Sequence, residues 1–143
     1  MPSLSDELDI SRQSRSLCAR GNMLKRNFYA CSYEVKIKLF QAYCSCLYTS
    51  QLWSSYTKSC INKFTVCYNN AFRCVLGYPR GCSASGMFVW NSVESLPELR
   101  RRIVHNFLQR VTTSDNGLVK HMSGCDMRWL SSLWCKWSQL LYL

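Results

Sequence analysis

Residue types that build active sites are scarce in this sequence. Its 143 residues include eight Asp and Glu and two His, and the only close set of carboxylates is Asp6, Glu7 and Asp9. These three open a helical segment, where the positive end of the helix dipole favours negative charge without any metal ion. His105 and His121 have no Ser or Cys motif of a nucleophilic site beside them. We therefore predict no catalytic residues.

Motifs for metals and cofactors are also missing. The ten cysteines include Cys60, Cys67 and Cys74 at seven-residue intervals. None of the intervals is the compact paired spacing that lets one turn of chain present two ligands to zinc. The six glycines form no glycine-rich phosphate loop. The sequence thus predicts no metal, no cofactor and no small-molecule substrate.

The sequence has no long apolar run. Its longest window without a charged residue, 39–57, contains eight Ser, Thr and Gln residues, so it predicts a buried helix and not a membrane span. The first ten residues are polar and acidic, unlike a secretion signal. We expect an intracellular protein, nuclear or cytoplasmic, whose cysteines stay reduced.

Apolar residues make up 48% of the chain and recur at helical spacing. Between Asp6 and about Ala30, an apolar seam follows one narrow arc of a helix; it consists of Ile10, Leu17, Leu24 and Phe28. The pattern predicts an all-α fold, a small bundle of four to six helices with a loosely packed C-terminal tail. We expect residues 1–119 to form the helical module and residues 120–143 a Trp-rich tail, either a short helix or partly disordered.

Three further helices complete the predicted bundle. One begins at Ser32, runs through Trp53 and is apolar around most of its circumference, which is typical of a central helix. A third covers Thr57 to Leu76 and ends at the loop Gly77–Gly81. A fourth begins after Ser95 and carries the apolar stripe Leu99, Ile103, Phe107 and Val111.

Basic residues are abundant and, in the first helix, ordered. Eighteen Lys and Arg give a formal net charge of +10. Arg12, Arg15 and Arg26 lie within about 60° of one another on a helical wheel, opposite the apolar seam, and Arg20 and Lys25 flank them. Such a stripe can follow the phosphate backbone of RNA or DNA. A solvated helix face with no partner has the same pattern.

The chain resembles the region downstream of the polymerase core in LINE-type (non-LTR) retrotransposon reverse transcriptases. The segments that carry the resemblance are Leu4–Gln13, Arg15–Leu24, Val35–Cys44, Leu52–Trp53, Tyr68–Arg73, Leu76–Arg80 and Ser83–Val89. They occur in the same order as in the helical thumb of that family and the region after it. The resemblance covers roughly residues 4–119, and the tail from about Lys120 matches loosely.

The resemblance implies a non-catalytic piece of an RNA-directed DNA polymerase. The family's palm carries an aromatic-Ala-Asp-Asp motif whose aspartates hold two metal ions, and this sequence contains no such motif. We therefore expect a chain that is no enzyme on its own and that binds nucleic-acid backbone through Arg12, Arg15, Arg20, Lys25 and Arg26. The alternative is a non-functional remnant or a helical protein-interaction module with no nucleic-acid role. The sequence leaves the oligomeric state open.

Overall fold

The structure, a computed structural model, describes the backbone of residues 6–47, 50–124 and 128–142, with side chains outside 122–133 and 142. Over these residues it is helical and contains no strand, which confirms the all-α prediction. The α-helices are α1 (Asp6–Asn27), α2 (Tyr33–Cys44), α3 (Lys58–Leu76), α4 (Ala84–Trp90), α5 (Leu96–Thr112), α6 (Gly117–Gly124) and α7 (Arg128–Tyr142). A 3₁₀ segment, Ser50–Ser55, lies between α2 and α3. None of the described helices is both long and apolar enough to cross a membrane.

The helices divide into two compact units. The first consists of Met1–Leu47 and Tyr56–Leu96, and the second of Tyr48–Ser55 and Pro97–Leu143. The 119/120 boundary expected from the sequence lies inside the second unit. Each unit combines two separate stretches of chain, so local sequence composition does not mark it.

Helix α1 buries three of the four predicted seam residues, but it ends at Asn27, so Phe28 lies just beyond it and is half-buried. Its buried residues are Ile10, Leu17, Gly21 and Leu24, which share one face. A Cβ built on Gly21 would lie 3.5 Å from the Cβ of Ala71 on α3. The two small residues therefore let the backbones of α1 and α3 cross closely.

The predicted central helix is wrong in both extent and position. Helix α2 ends at Cys44, well before Trp53, and buries only Phe40 and Cys44, while Val35 and Tyr43 are exposed. Ser45 follows the last helical residue, and its Oγ lies 3.1 Å from the Tyr68 hydroxyl oxygen of α3. The next described element is the 3₁₀ segment Ser50–Ser55.

Helix α3 is instead the most buried helix of the first unit. Its core side chains meet α2 and α4 in an aromatic cluster, in which the ring centroids of Phe40 and Phe72 lie 4.9 Å apart and those of Phe72 and Phe88 4.7 Å apart. Tyr68 joins the cluster, 5.3 Å from Phe40 and 5.7 Å from Phe88. Edge-to-face and offset contacts of this kind add to the free energy of burial.

The Gly77–Gly81 loop ends α3 as predicted. Gly77 adopts a left-handed φ of 77°, and its amide donates to the Arg73 carbonyl oxygen at 2.8 Å. The Tyr78 amide donates to the same oxygen at 3.0 Å. Both amides therefore donate to the Arg73 carbonyl oxygen, one of the last-turn carbonyls that lack a donor within the helix itself.

In the second unit, α7 packs through Trp137. This residue is buried, and its indole Nε1 donates to the Gln51 carbonyl oxygen at 2.8 Å. Its ring also meets Phe107 of α5 edge-on, at 5.4 Å between centroids. The tail is thus helical over Arg128–Tyr142, and Trp137 is its buried contact within this unit.

The apolar stripe predicted for α5 is partly wrong. Leu99 is buried as expected, but Ile103, Phe107 and Val111 are half-buried. Val104 takes their place in the core, together with Leu96 and Arg100. The four-residue spacing located the correct side of the helix but not its buried centre, which includes the charged Arg100.

Candidate nucleic-acid interface

The three arginines predicted to share the outer face of α1 do so. Their side chains project away from the buried Ile10–Leu24 seam, and Arg15 and Arg26 are about 16 Å apart along the axis, at 1.5 Å per residue. Arg15 Nε donates weakly to the Ser11 carbonyl oxygen at 3.4 Å. No carboxylate among the described residues forms an ion pair with Arg15 or Arg26. Both charges therefore face solvent.

Arg12 on the same face is already paired. Its Nη2 donates to Asp9 Oδ1 at 2.5 Å, one turn earlier. Asp9 also accepts a hydrogen bond from the Tyr56 hydroxyl at 3.0 Å. Burial, followed by the contact with Asp9, raises the pKa of Tyr56 to about 12. Part of the Arg12 charge is thus neutralised within the protein, so Arg12 offers less to a phosphate than Arg15 or Arg26.

Arg20, which flanks this face, makes structural hydrogen bonds instead. Its Nη1 donates to the Tyr43 carbonyl oxygen at 2.7 Å, and its Nε donates to the Ser16 carbonyl oxygen at 3.3 Å. Tyr43 belongs to the last turn of α2, whose carbonyls have no intrahelical donor. The structure therefore places Arg20 as a clamp between α1 and α2.

Lys25 points into a cleft that sequence reasoning missed. The cleft has a volume of about 550 Å³ and lies among the ends of α1 and α3 and the Gly77–Gly81 loop; Lys25, Asn70, Arg73, Cys74, Tyr78 and Arg80 line it. Three of these residues are cationic, and none is acidic. The sequence contains one signal for this cleft: Arg73 and Arg80 lie on either side of a Gly-Tyr-Pro turn, which brings them back toward each other.

Arg73 is the fixed member of the cleft. Its Nη1 donates to Asn70 Oδ1 at 3.0 Å, and its Nη2 donates to the Cys82 carbonyl oxygen at 2.9 Å. Its Nε is buried and has no hydrogen-bond partner in the structure. Arg73 thus holds the loop in place and still keeps one donor unused.

Helix dipoles account for only part of the positive charge in the cleft. Lys25 and Arg73 lie in the last turns of α1 and α3, where each helix presents about half a negative charge. Two such ends offset about one of the three cationic charges. The first unit as a whole carries eleven Lys and Arg against five Asp and Glu. The cleft and the outer face of α1 therefore form a net positive surface.

Two thiols of the first unit lie close together between α1 and α3. The described residues contain no group of three or more His, Cys, Asp or Glu that could hold a metal ion. Cys67 Sγ on α3 lies 3.5 Å from Cys18 Sγ on α1, with both thiols reduced. Burial, and then the contact with Cys18, raises the pKa of Cys67 to about 11. A neutral thiol of this kind packs as a small apolar group.

No protein-family model matches the chain, and neither does any curated protein or solved structure with which it was compared. The resemblance to the reverse transcriptases therefore stays a prediction.

Proposed function

We propose that this chain is a non-catalytic module, akin to the C-terminal part of a LINE-type reverse transcriptase, that binds the phosphate backbone of RNA or DNA. The observation that carries the proposal is the exposed face of α1, on which Arg15 and Arg26 have no carboxylate partner within the described part of the chain. Lys25, Arg73 and Arg80 extend this charge into the neighbouring cleft. We expect no nucleotide incorporation, because the sequence contains no aspartate pair to hold the metal ions.

The test compares two double variants that each remove two charges. In Arg15→Gln/Arg26→Gln the packed face of α1 stays intact, since both side chains are exposed. We expect weaker binding to duplex and a log–log salt dependence that is shallower by about 0.9 for each phosphate that the variant no longer neutralises. The affinity should fall equally for unrelated sequences, because phosphate contacts carry no base information.

The matched control is Lys58→Gln/Lys136→Gln. It lowers the net charge by the same amount at the start of α3 and in α7, where both lysines are exposed. We expect this control to keep most of the affinity and the full salt slope. If Arg15→Gln/Arg26→Gln has the same slope of log affinity against log salt concentration as wild type, the proposal is wrong, irrespective of the result for the control.

One observation favours the alternative, a helical protein-interaction module. Val89 and Trp90 on α4 are 75% and 69% exposed, and large adjacent apolar side chains of this kind occur at protein interfaces. Two results together would support this alternative: the wild type binds no nucleic acid, and Val89→Ser/Trp90→Ser loses a protein partner that the wild type binds.

A further inference from the structure

Arg100 of α5 is a buried cation whose Nε has no hydrogen-bond partner in the described part of the chain. Its residue is 8% exposed, its Nε is buried without a partner, and no carboxylate in the described part of the chain pairs with it. Desolvation lowers the pKa of Arg100, yet a guanidinium remains charged at any physiological pH. A buried charge with no partner is costly, so native proteins normally supply one.

The group that offsets part of the cost of burying the Arg100 charge is an aromatic ring. The Arg100 guanidinium carbon lies 6.0 Å from the centre of the Trp53 ring, which is the outer limit of a cation–π contact. Such a contact satisfies none of the five N–H donors of an arginine. The 3₁₀ segment that contains Trp53 also holds buried hydroxyl oxygens without hydrogen bonds, those of Ser50 and Ser54. This region of the second unit therefore has unused polar groups in its interior.

Arg100 opens onto a cavity of about 300 Å³. Among the residues whose side chains the structure describes, Pro97, the half-buried Arg101 and Leu140 of α7 also line it. The volume is that of about ten water molecules and lies at the small end of the range for ligand sites. Two guanidinium groups can bind an oxyanion through paired N–H donors, and the two apolar residues can cover a short hydrocarbon. The cavity also adjoins the first turn of α5, where Glu98 already offsets part of the positive end of the helix dipole, so the two arginines are the groups that would hold an anion.

We propose that this cavity binds a small organic oxyanion, a carboxylate or phosphate monoester on a short apolar body, with Arg100 and Arg101 holding the oxygens and Pro97 and Leu140 covering the apolar part. This goes beyond the proposed function, because it concerns a different unit and a small molecule. The sequence did not predict such a ligand, because the consecutive arginines 100–102 give no indication that one of them is buried.

The test is a titration of the full chain with hexanoate, hexyl phosphate and acetate at constant ionic strength, followed by NMR. We expect hexanoate or hexyl phosphate to shift the backbone amides of Arg100 and Arg101 and the Trp53 indole signal at concentrations where acetate does not. The stronger of the two six-carbon ligands identifies the preferred oxyanion. Absence of these shifts with both ligands would overturn the proposal.

Variants separate a ligand site from a merely structural arginine. Arg100→Met keeps the length of the side chain but removes the buried charge, so it should raise the melting temperature of the ligand-free chain and abolish the hexanoate shifts. Arg101→Gln, at a half-buried position, should weaken binding about tenfold without a large change in melting temperature. Arg110→Gln, further along α5 and exposed, is the control and should bind as wild type does. Unchanged binding by Arg100→Met would contradict the proposal even if the protein is stabilised.

Discussion

At the scale of single residues, function depends on which charges the fold has already used. In the sequence Arg12 shares the outer face of α1 with Arg15, and Arg20 flanks it, but in the structure Asp9 pairs with Arg12 and the Tyr43 carbonyl oxygen accepts from Arg20. The sequence could predict the outer face of α1, because helical geometry alone fixes it. It could not predict the partners of Arg20, Lys25 or Arg73, since these depend on how helices distant in the chain pack together.

Buried thiols give the first unit a specific dependence on pH. Burial, opposed by the nearby Arg20, raises the pKa of Cys44 from its ordinary 9.0 to about 11. Above pH 9 the unfolded chain therefore releases a proton that the folded chain keeps, so stability falls as the pH rises from about 9 to about 11. We expect a loss of about 2 kcal/mol from Cys44 over this range, since each pKa unit is worth about 1.4 kcal/mol.

Urea unfolding of Cys44→Ala at a series of pH values checks this expectation. The variant should be less stable than wild type at pH 7, because it leaves a small cavity, but its stability should fall less between pH 9 and 11. Cys135→Ala, at an exposed position of α7, should follow the wild-type curve. A Cys44→Ala curve parallel to wild type would show that this thiol does not control the alkaline loss.

At the scale of elements, the ends of α3 were the easiest feature to predict. Thr57 caps its first turn by accepting from the Cys60 amide at 3.3 Å, and Gly77 closes its last turn. Both signals are local, so the sequence alone contains them. The end of α2 was missed because its contacts come from other helices: Arg20 of α1 donates to the Tyr43 carbonyl oxygen, and Ser45 Oγ lies 3.1 Å from the Tyr68 hydroxyl oxygen of α3.

Gly77→Ala tests the cap of α3. The left-handed φ of 77° places a Cβ close to the following carbonyl, which costs about 1–2 kcal/mol of stability. Gly81 in the same loop is the matched control, because a Cβ there meets nothing within 4 Å and its φ is not left-handed. We expect Gly81→Ala to change the unfolding free energy by less than about 0.5 kcal/mol. Equal effects of the two substitutions in urea unfolding would contradict the role given to Gly77.

At the scale of the whole molecule, the two units have separate cores that different probes can follow. The aromatic cluster around Phe40 and Phe72 belongs to the first unit. Four of the five tryptophans belong to the second unit, and the fifth, Trp90, is an exposed residue of the first. In a Trp90→Phe background, tryptophan fluorescence therefore reports on the second unit alone, while far-ultraviolet circular dichroism reports on the helices of both.

Phe40→Ala in this background tests whether the two units unfold separately. Phe40 is fully buried, so its truncation should destabilise the first unit by about 3–5 kcal/mol. Leu39→Ala next to it should cost less, because Leu39 is only half-buried. If each core unfolds independently, Phe40→Ala moves part of the circular dichroism transition to lower urea and leaves the fluorescence midpoint in place. A single two-state transition would instead give the same midpoint with both probes. We expect this separation because each unit buries its own apolar cluster, and an equal shift of both midpoints would show that the two cores unfold as one.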